Sequence, residues 1–135
     1  GVGLGPFRVA SAVRISLAQR LVRRVCGRCA EPGEVQTELL LNAGLDEAVL
    51  PEAELKKGAG CPGCNGSGYA GRVGLYEVMV MTPRIREMIL DRASTAELRE
   101  RAIADGMITL RQDALWKMCR GMTSFAEVLR ETNSD

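Results

Sequence analysis

The chain has 135 residues, 46% of them hydrophobic and 26% charged, with 18 Lys and Arg set against 17 Asp and Glu. That length holds one ordinary domain or two small units, and the balance excludes a disordered acidic tail and a strongly cationic nucleic-acid binder. Histidine is absent from the sequence, so a Ser-His-Asp triad, a Cys-His nucleophile pair and a His-ligated catalytic metal are excluded as well.

Residues 7–25 place Phe7, Ala10, Val13, Leu17, Leu21 and Val25 at spacings of three and four, the pattern of one face of a long helix that ends where the cysteines begin. Arg8, Arg14, Arg20, Arg23, Arg24 and Arg28 run through the same stretch, with no acid before Glu31. Such a run is either a solvated face or a contact for phosphate, an acidic partner or a neighbouring subunit. From Glu31 to Lys57 the balance reverses, with Glu31, Glu34, Glu38, Asp46, Glu47, Glu52 and Glu54 around the leucines at 39–41. A short helix ending near Gly44, a further helical turn near Pro51 and a returning loop fit this excursion.

The excursion separates two cysteine pairs. Cys26 and Cys29 in "CGRC" match Cys61 and Cys64 in "CPGC", with 31 residues between the pairs. Four thiolates with no spare ligand position describe a closed tetrahedral structural zinc site, which cannot activate water. Iron–sulfur ligation also uses four cysteines, but the paired spacing lacks the clustered pattern of common ferredoxins. A thioredoxin-like redox pair would sit at a helix start, whereas the second pair runs into glycines at 66, 68, 71 and 74. Four thiolates around Zn2+ leave a formal charge of −2, which Arg24, Arg28 and the amides of Asn65 to Gly68 are placed in sequence to offset. Cys119 stands alone in a helical pattern and reads as a buried small hydrophobe.

Beyond the glycines, "RVGLYEVMVM" alternates Tyr76, Val78 and Val80 with Leu75, Glu77, Met79 and Met81, a strand expected to be covered on much of both faces. Four helix starts follow. Thr82 precedes Pro83, and Ser94 with Glu97, Thr109 with Gln112 and Ser124 with Glu127 have capping-box spacing. Gly106 and Gly121 stand where glycines stop helices, so residues 82–135 read as one small helical bundle. The fold class expected is mostly α with a short β element, the four-cysteine zinc module lying between a long N-terminal helix and the C-terminal bundle. No apolar run approaches the roughly 20 residues of a membrane span and the start lacks a signal-peptide pattern, so a cytosolic chain with no direct membrane insertion is expected. With five aromatic residues, base-stacking platforms are hard to build and no nucleic-acid partner is expected.

Three ordered segments carry a resemblance: "PFRVASAVRISLAQRLVRRVCGRC", "GCPGCNGSGYAGRVGLYEV" and "DGMITLRQDALWKMCRGMTSFAEVLRET". Together they resemble the C-terminal part of the type II secretion and type IV pilus assembly ATPases, the hexameric secretion ATPase superfamily. That resemblance implies a cytoplasmic motor, peripheral to the inner membrane through platform proteins of the secretion or pilus machinery, that hydrolyses ATP with Mg2+. It also implies a four-cysteine element after a RecA-like core. It carries over Cys26, Cys29, Cys61 and Cys64 as metal ligands, and Gln19 and Arg20 as parts of the helix ending the core; with Arg23 and Arg24 these are candidate subunit contacts. No GxxxxGK[ST] phosphate loop is present, the only lysines being Lys56, Lys57 and Lys117. The expected division is therefore 1–25 as the last helix of a truncated ATPase core, 26–81 as the zinc module with its strand, and 82–135 as the helical bundle. This chain alone would carry no ATPase activity, and the apolar face of the first helix would drive self-association. The alternatives are an Hsp40-like cysteine-rich co-chaperone fragment, suggested by "CPGCNGSG", and a zinc-ribbon nucleic-acid adaptor using the arginine stretch.

Overall fold

The computed structural model describes residues 13–132. In chain order the elements are β1 (Arg14–Val25), β2 (Ala30–Pro32), α1 (Thr37–Ala43), a 3-10 helix at Glu47–Glu52, β3 (Lys56–Gly58), a 3-10 turn at Pro62–Cys64, β4 (Tyr69–Val80), α2 (Pro83–Leu90), α3 (Thr95–Ala104), α4 (Leu110–Cys119) and α5 (Phe125–Thr132). β1 pairs with β4 and β2 with β3, in two two-stranded sheets.

The expected first helix is instead a strand. β1 and β4 are each 12 residues long, so the β component is not a short accessory to a mostly α fold. The cause is visible in the spacing: Val13, Leu17, Leu21 and Val25 recur every four residues, which suits a helix and a strand equally. Pairing with β4 decides between them. Phe7 and Ala10, whose spacing of three favoured a helix, lie outside the described residues. Leu17 is half-buried and Leu21 46% exposed, so no continuous apolar helix face exists here to drive self-association.

β4 alternates as its sequence predicts. Val73, Leu75, Glu77 and Met79 are buried; Tyr76, Val78 and Val80 are exposed, so only one face is covered. All four C-terminal helices form. Thr82 Oγ1 accepts from the Ile85 N–H at 3.1 Å, and Ser94 and Glu97 bond reciprocally at 3.1 and 3.0 Å, a complete capping box. Gly106 and Gly121 have φ of 102° and 76°, as helix-stopping glycines require.

These helices do not form one bundle, and the chain divides along lines other than 1–25, 26–81 and 82–135. Among the described residues, one compact unit joins 13–18 with Glu77–Thr109; the other joins Gln19–Tyr76 with 110–132. In the first, Met79, Ile85 and Ala102 form the core, with Ile15, Leu17, Met88 and Leu98 packed against it. Buried Glu77 is held there by a bidentate pair with Arg99, at 3.0 and 3.2 Å. In the second, α4 and α5 carry a buried set of Leu110, Ala114, Leu115, Met118 and Val128, while Val22 and Val25 of β1 are also buried.

A two-stranded sheet leaves two backbone edges unpaired, and in the second unit α4, α5 and the turn between them bond groups on both. On β4, Lys117 donates to the Gly74 carbonyl at 2.6 Å and Asp113 accepts from the Tyr76 N–H at 2.9 Å; the two side chains also pair with each other. On β1, the Val25 N–H donates to the Met122 carbonyl, Thr123 Oγ1 donates to the Arg23 carbonyl and Glu127 accepts the Arg23 N–H. The cysteine end of β1 and the middle of β4 are thereby held.

Candidate metal centre

Cys26 follows the last residue of β1, and Cys29 closes the turn that leads into β2. Cys61 and Cys64 bracket the 3-10 turn that precedes β4. The antiparallel pairing of β2 with β3, Ala30 opposite Gly58 and Pro32 opposite Lys56, closes the base of the excursion. The Ala59 N–H bonds the Cys29 carbonyl at 3.1 Å and the Cys26 N–H bonds the Gly68 carbonyl at 2.9 Å. Backbone bonds alone therefore bring both pairs to one place.

The four Sγ atoms lie within 4.8 Å of one another. Cys26 to Cys61 is 3.9 Å, Cys29 to Cys64 is 3.8 Å and Cys61 to Cys64 is 3.7 Å. A disulfide needs about 2.05 Å, so these are not bonded pairs. One tetrahedral ion with metal–sulfur bonds of about 2.3 Å spaces its sulfurs about 3.8 Å apart, and the three distances fit that spacing. The donor set and its size can hold a metal ion.

Backbone amides converge on the sulfurs. Gly60 N–H donates to Cys29 Sγ at 3.3 Å, Cys61 N–H to Cys64 Sγ at 3.3 Å and Gly68 N–H to Cys64 Sγ at 3.2 Å. The Arg28 N–H lowers the Cys26 thiol from its ordinary value, against burial. Burial pushes the Cys64 thiol up, but the N–H groups of Cys61 and Gly68, together with the neighbouring Cys61 and Cys29 thiols, outweigh it and bring it down to about 6. At Cys29 burial dominates and pushes the thiol up to about 11. Amide donors stabilise thiolate, the form that binds metal.

Of the expected charge-balancing groups, the Gly68 amide is in place and Arg28 lies across the second turn. A Cβ on Gly63 would stand 3.1 Å from Arg28 Cδ and Nη1 and 3.6 Å from Cys61 Sγ, so glycine gives the guanidinium room to approach. Arg24 is exposed. Gly58 and Gly68 press backbone to backbone: a Cβ on Gly58 would collide with the Gly68 carbonyl, while Gly68 itself has φ +84°. Both positions need glycine. Cys119 is buried, apart from the cluster, and burial raises its thiol.

The candidate contact residues divide. Gln19, Arg20 and Arg24 are exposed, with Arg20 bonded to the Gln19 carbonyl. Arg23 is engaged within the chain: it pairs with Glu127 at 3.1 Å and stacks on Tyr69 at 4.1 Å. Tyr69, next to Gly68, meets Ser124 Oγ at 2.6 Å, so one network runs from the metal turn to α5. Sequence reasoning took Glu127 for a capping-box partner. Its N–H does bond Ser124, at 3.2 Å, but its carboxylate turns to Arg23. Arg111, which no sequence pattern singles out, ties the Ala43 carbonyl at the end of α1 to Thr132 at the end of α5. No local pattern marks either role, because both partners are distant in sequence.

Among the described residues no helix is long and apolar enough to cross a membrane. The family described as Type II/IV secretion system protein matches residues 1–130. The chain is 42% identical over 131 residues to the type IV pilus assembly ATPase PilB of Thermus thermophilus, covering 97% of this chain and 15% of that protein. It is 39% identical over 135 residues to PilB of Myxococcus xanthus, covering 99% of this chain and 24% of that protein. With type II secretion system protein E of Aeromonas hydrophila the identity is 37% over 135 residues, covering 99% of this chain and 26% of that protein. The chain thus spans between 15% and 26% of the length of these three relatives. With a family match over almost its whole length, the chain belongs to the Type II/IV secretion system protein family.

Proposed function

We propose that this chain is the C-terminal zinc-binding and helical portion of a secretion or pilus-assembly ATPase, where it serves as a structural element and a contact for neighbouring subunits. The carrying observation is four sulfurs within 4.8 Å of one another, with three of their separations near 3.8 Å, in a chain of this family. Cys26, Cys29, Cys61 and Cys64 would hold one Zn2+, which supplies a fixed cross-link between the end of β1 and the start of β4 and no open position for chemistry. The names of the relatives support an ATPase as the parent; ATP and Mg2+ would bind in that larger protein, since phosphoryl transfer needs a phosphate-cradling loop and a lysine. The same reading makes a hexamer's neighbouring subunits and the inner-membrane platform proteins the partners, with the chain peripheral to the membrane.

Elemental analysis of the purified chain tests the metal. One zinc per chain is expected, falling to none in Cys61→Ser. Two zincs per chain, or none in a folded protein with four titratable thiols, would overturn it.

A further inference from the structure

The excursion between the cysteine pairs carries a groove of its own. A space of about 420 Å3 lies between α1, the 3-10 helix and the chain leading into β3, with Val35, Leu40, Leu50 and Leu55 among its walls. A second space of about 190 Å3 shares Val35 and Leu55 with it and continues to Met118 of α4 and Phe125 of α5. Both are open to solvent, and the same α1 and 3-10 helix expose Leu39, Leu41 and Val49. The charge around this groove is of one sign. Residues 33–55 contain Glu34, Glu38, Asp46, Glu47, Glu52 and Glu54 and no Lys or Arg, and all six acids are exposed. Glu54 lines the first space and Glu34 the second; Glu38 follows Thr37 and Glu52 precedes Ala53, two further residues of the first. Among the described residues none of the six forms an ion pair. Of the two lysines that line the groove, Lys57 pairs with Glu31, and Lys56 lays its stem over Gly121, where an added Cβ would stand 2.7 Å from Lys56 Cγ.

We infer that this groove takes an amphipathic helix of a partner protein, apolar on one face with Lys or Arg beside that face. Charge complementarity selects the occupant. Exposed carboxylates of one sign repel an acidic segment and attract a basic one, which brings the counter-charges that the chain does not place there itself. The apolar walls read the other half of the helix. A helix laid in a groove inserts side chains at i, i+3, i+4 and i+7, and Leu or Ile at those positions would cover Val35, Leu50 and Phe125. The arginine-rich stretch of this chain, Arg14–Val25, is committed to β1 in its sheet with β4 and offers no such helix. A different protein is therefore the occupant. This deepens the partner side of the proposed function by giving the chemistry of the segment bound, and rests on that reading for there being a partner.

The probe is a fluorescent synthetic helix of about 14 residues with Leu at that spacing and Lys elsewhere; one control peptide replaces every Lys by Glu and another every Leu by Ser. Fluorescence anisotropy with the full 135-residue chain, zinc added, should show saturable binding of the Leu–Lys peptide. Binding should be about tenfold or more weaker for either control, and weaker again at about 500 mM salt than at about 50 mM. Glu34→Gln with Glu54→Gln should weaken it about tenfold, and Glu34→Lys with Glu54→Lys should turn the preference to the Leu–Glu peptide. Glu87→Gln with Glu100→Gln, exposed acids of α2 and α3, should leave it unchanged. Val35→Ser with Leu50→Ser should weaken it through the apolar walls; circular dichroism checks that this variant folds, and the exposed Glu34 and Glu54 variants carry the test if it does not. No saturable binding, equal binding of either control peptide, or indifference to Glu34 and Glu54 would each overturn the proposal. So would self-association of the chain that the Glu34 and Glu54 variants abolish, without peptide binding, which would assign the groove to a second copy. One zinc per chain without peptide binding would sink the docking alone; peptide binding by a folded chain that takes up no zinc would sink the metal reading alone.

Discussion

Replacing Glu127 tests how the helices hold the metal-bearing strand. Its side chain is 2% exposed, yet the carboxylate accepts the Arg23 N–H at 2.7 Å and Arg23 Nη2 at 3.1 Å, with Arg130 at 3.4 Å. Glu127→Ala strands the Arg23 N–H on the free edge of β1, and an unsatisfied donor of this kind costs about 1–3 kcal/mol. The guanidinium contact is half in water and adds little. Glu127→Gln keeps a carbonyl for that N–H, so its cost should stay below about 1 kcal/mol. Urea unfolding of zinc-loaded protein near neutral pH would measure both. An acid series adds a second reading. Burial raises the Glu127 carboxyl, but the Arg23 hydrogen bonds outweigh it and hold the group below its ordinary value. A depressed folded value means stability that is present above the unfolded value of about 4.3 and lost as pH falls through the lower, folded one. The parent chain should lose its advantage over Glu127→Gln in that acid window. Equal costs for alanine and glutamine, an alanine cost under about 0.5 kcal/mol, or a constant difference across the acid range would refute the reasoning.

Gly58→Ala should cost roughly 3 kcal/mol and weaken metal retention, because a methyl there meets the Gly68 carbonyl; competition with a zinc chelator checks it. Arg111→Lys should cost about 1–2 kcal/mol in urea unfolding, since an ammonium cannot span the Ala43 carbonyl and Thr132 as the planar fork does. In Lys117→Met the Gly74 carbonyl loses its donor, and hydrogen exchange at the neighbouring β4 amides should accelerate while those of α2 stay unchanged. The purified chain should show no ATP turnover in a phosphate-release assay; activity lost on changing a residue within it would contradict the proposed function.

Capping chemistry and cysteine spacing were legible because they are local. Thr82, Ser94 and Ser124 each accept the expected N–H, and the two CxxC pairs meet as their spacing implied. β1 was not legible, because a four-residue repeat cannot separate the two periods and its partner lies some fifty residues on. The split of the four helices between two units was hidden for a related reason. α2 and α3 draw their core from Ile15, Leu17 and Met79, whereas α4 and α5 cap the backbone edges at Arg23, Val25, Gly74 and Tyr76. Helical periodicity reports that a face is buried and is silent about what buries it.

The short β2–β3 ladder makes the segment between the cysteine pairs a cassette. Ala30 opposite Gly58 fixes the two metal-binding turns against each other regardless of what the chain does in between. Lengthening a loop whose ends are already clamped is cheap, about 0.6 kcal/mol per doubling. An engineered insert at the exposed Asp46–Glu47 step should be accommodated without disturbing the sulfurs. Substitutions that change the cassette's surface charge should likewise leave the paired base, and the turns it holds, in place.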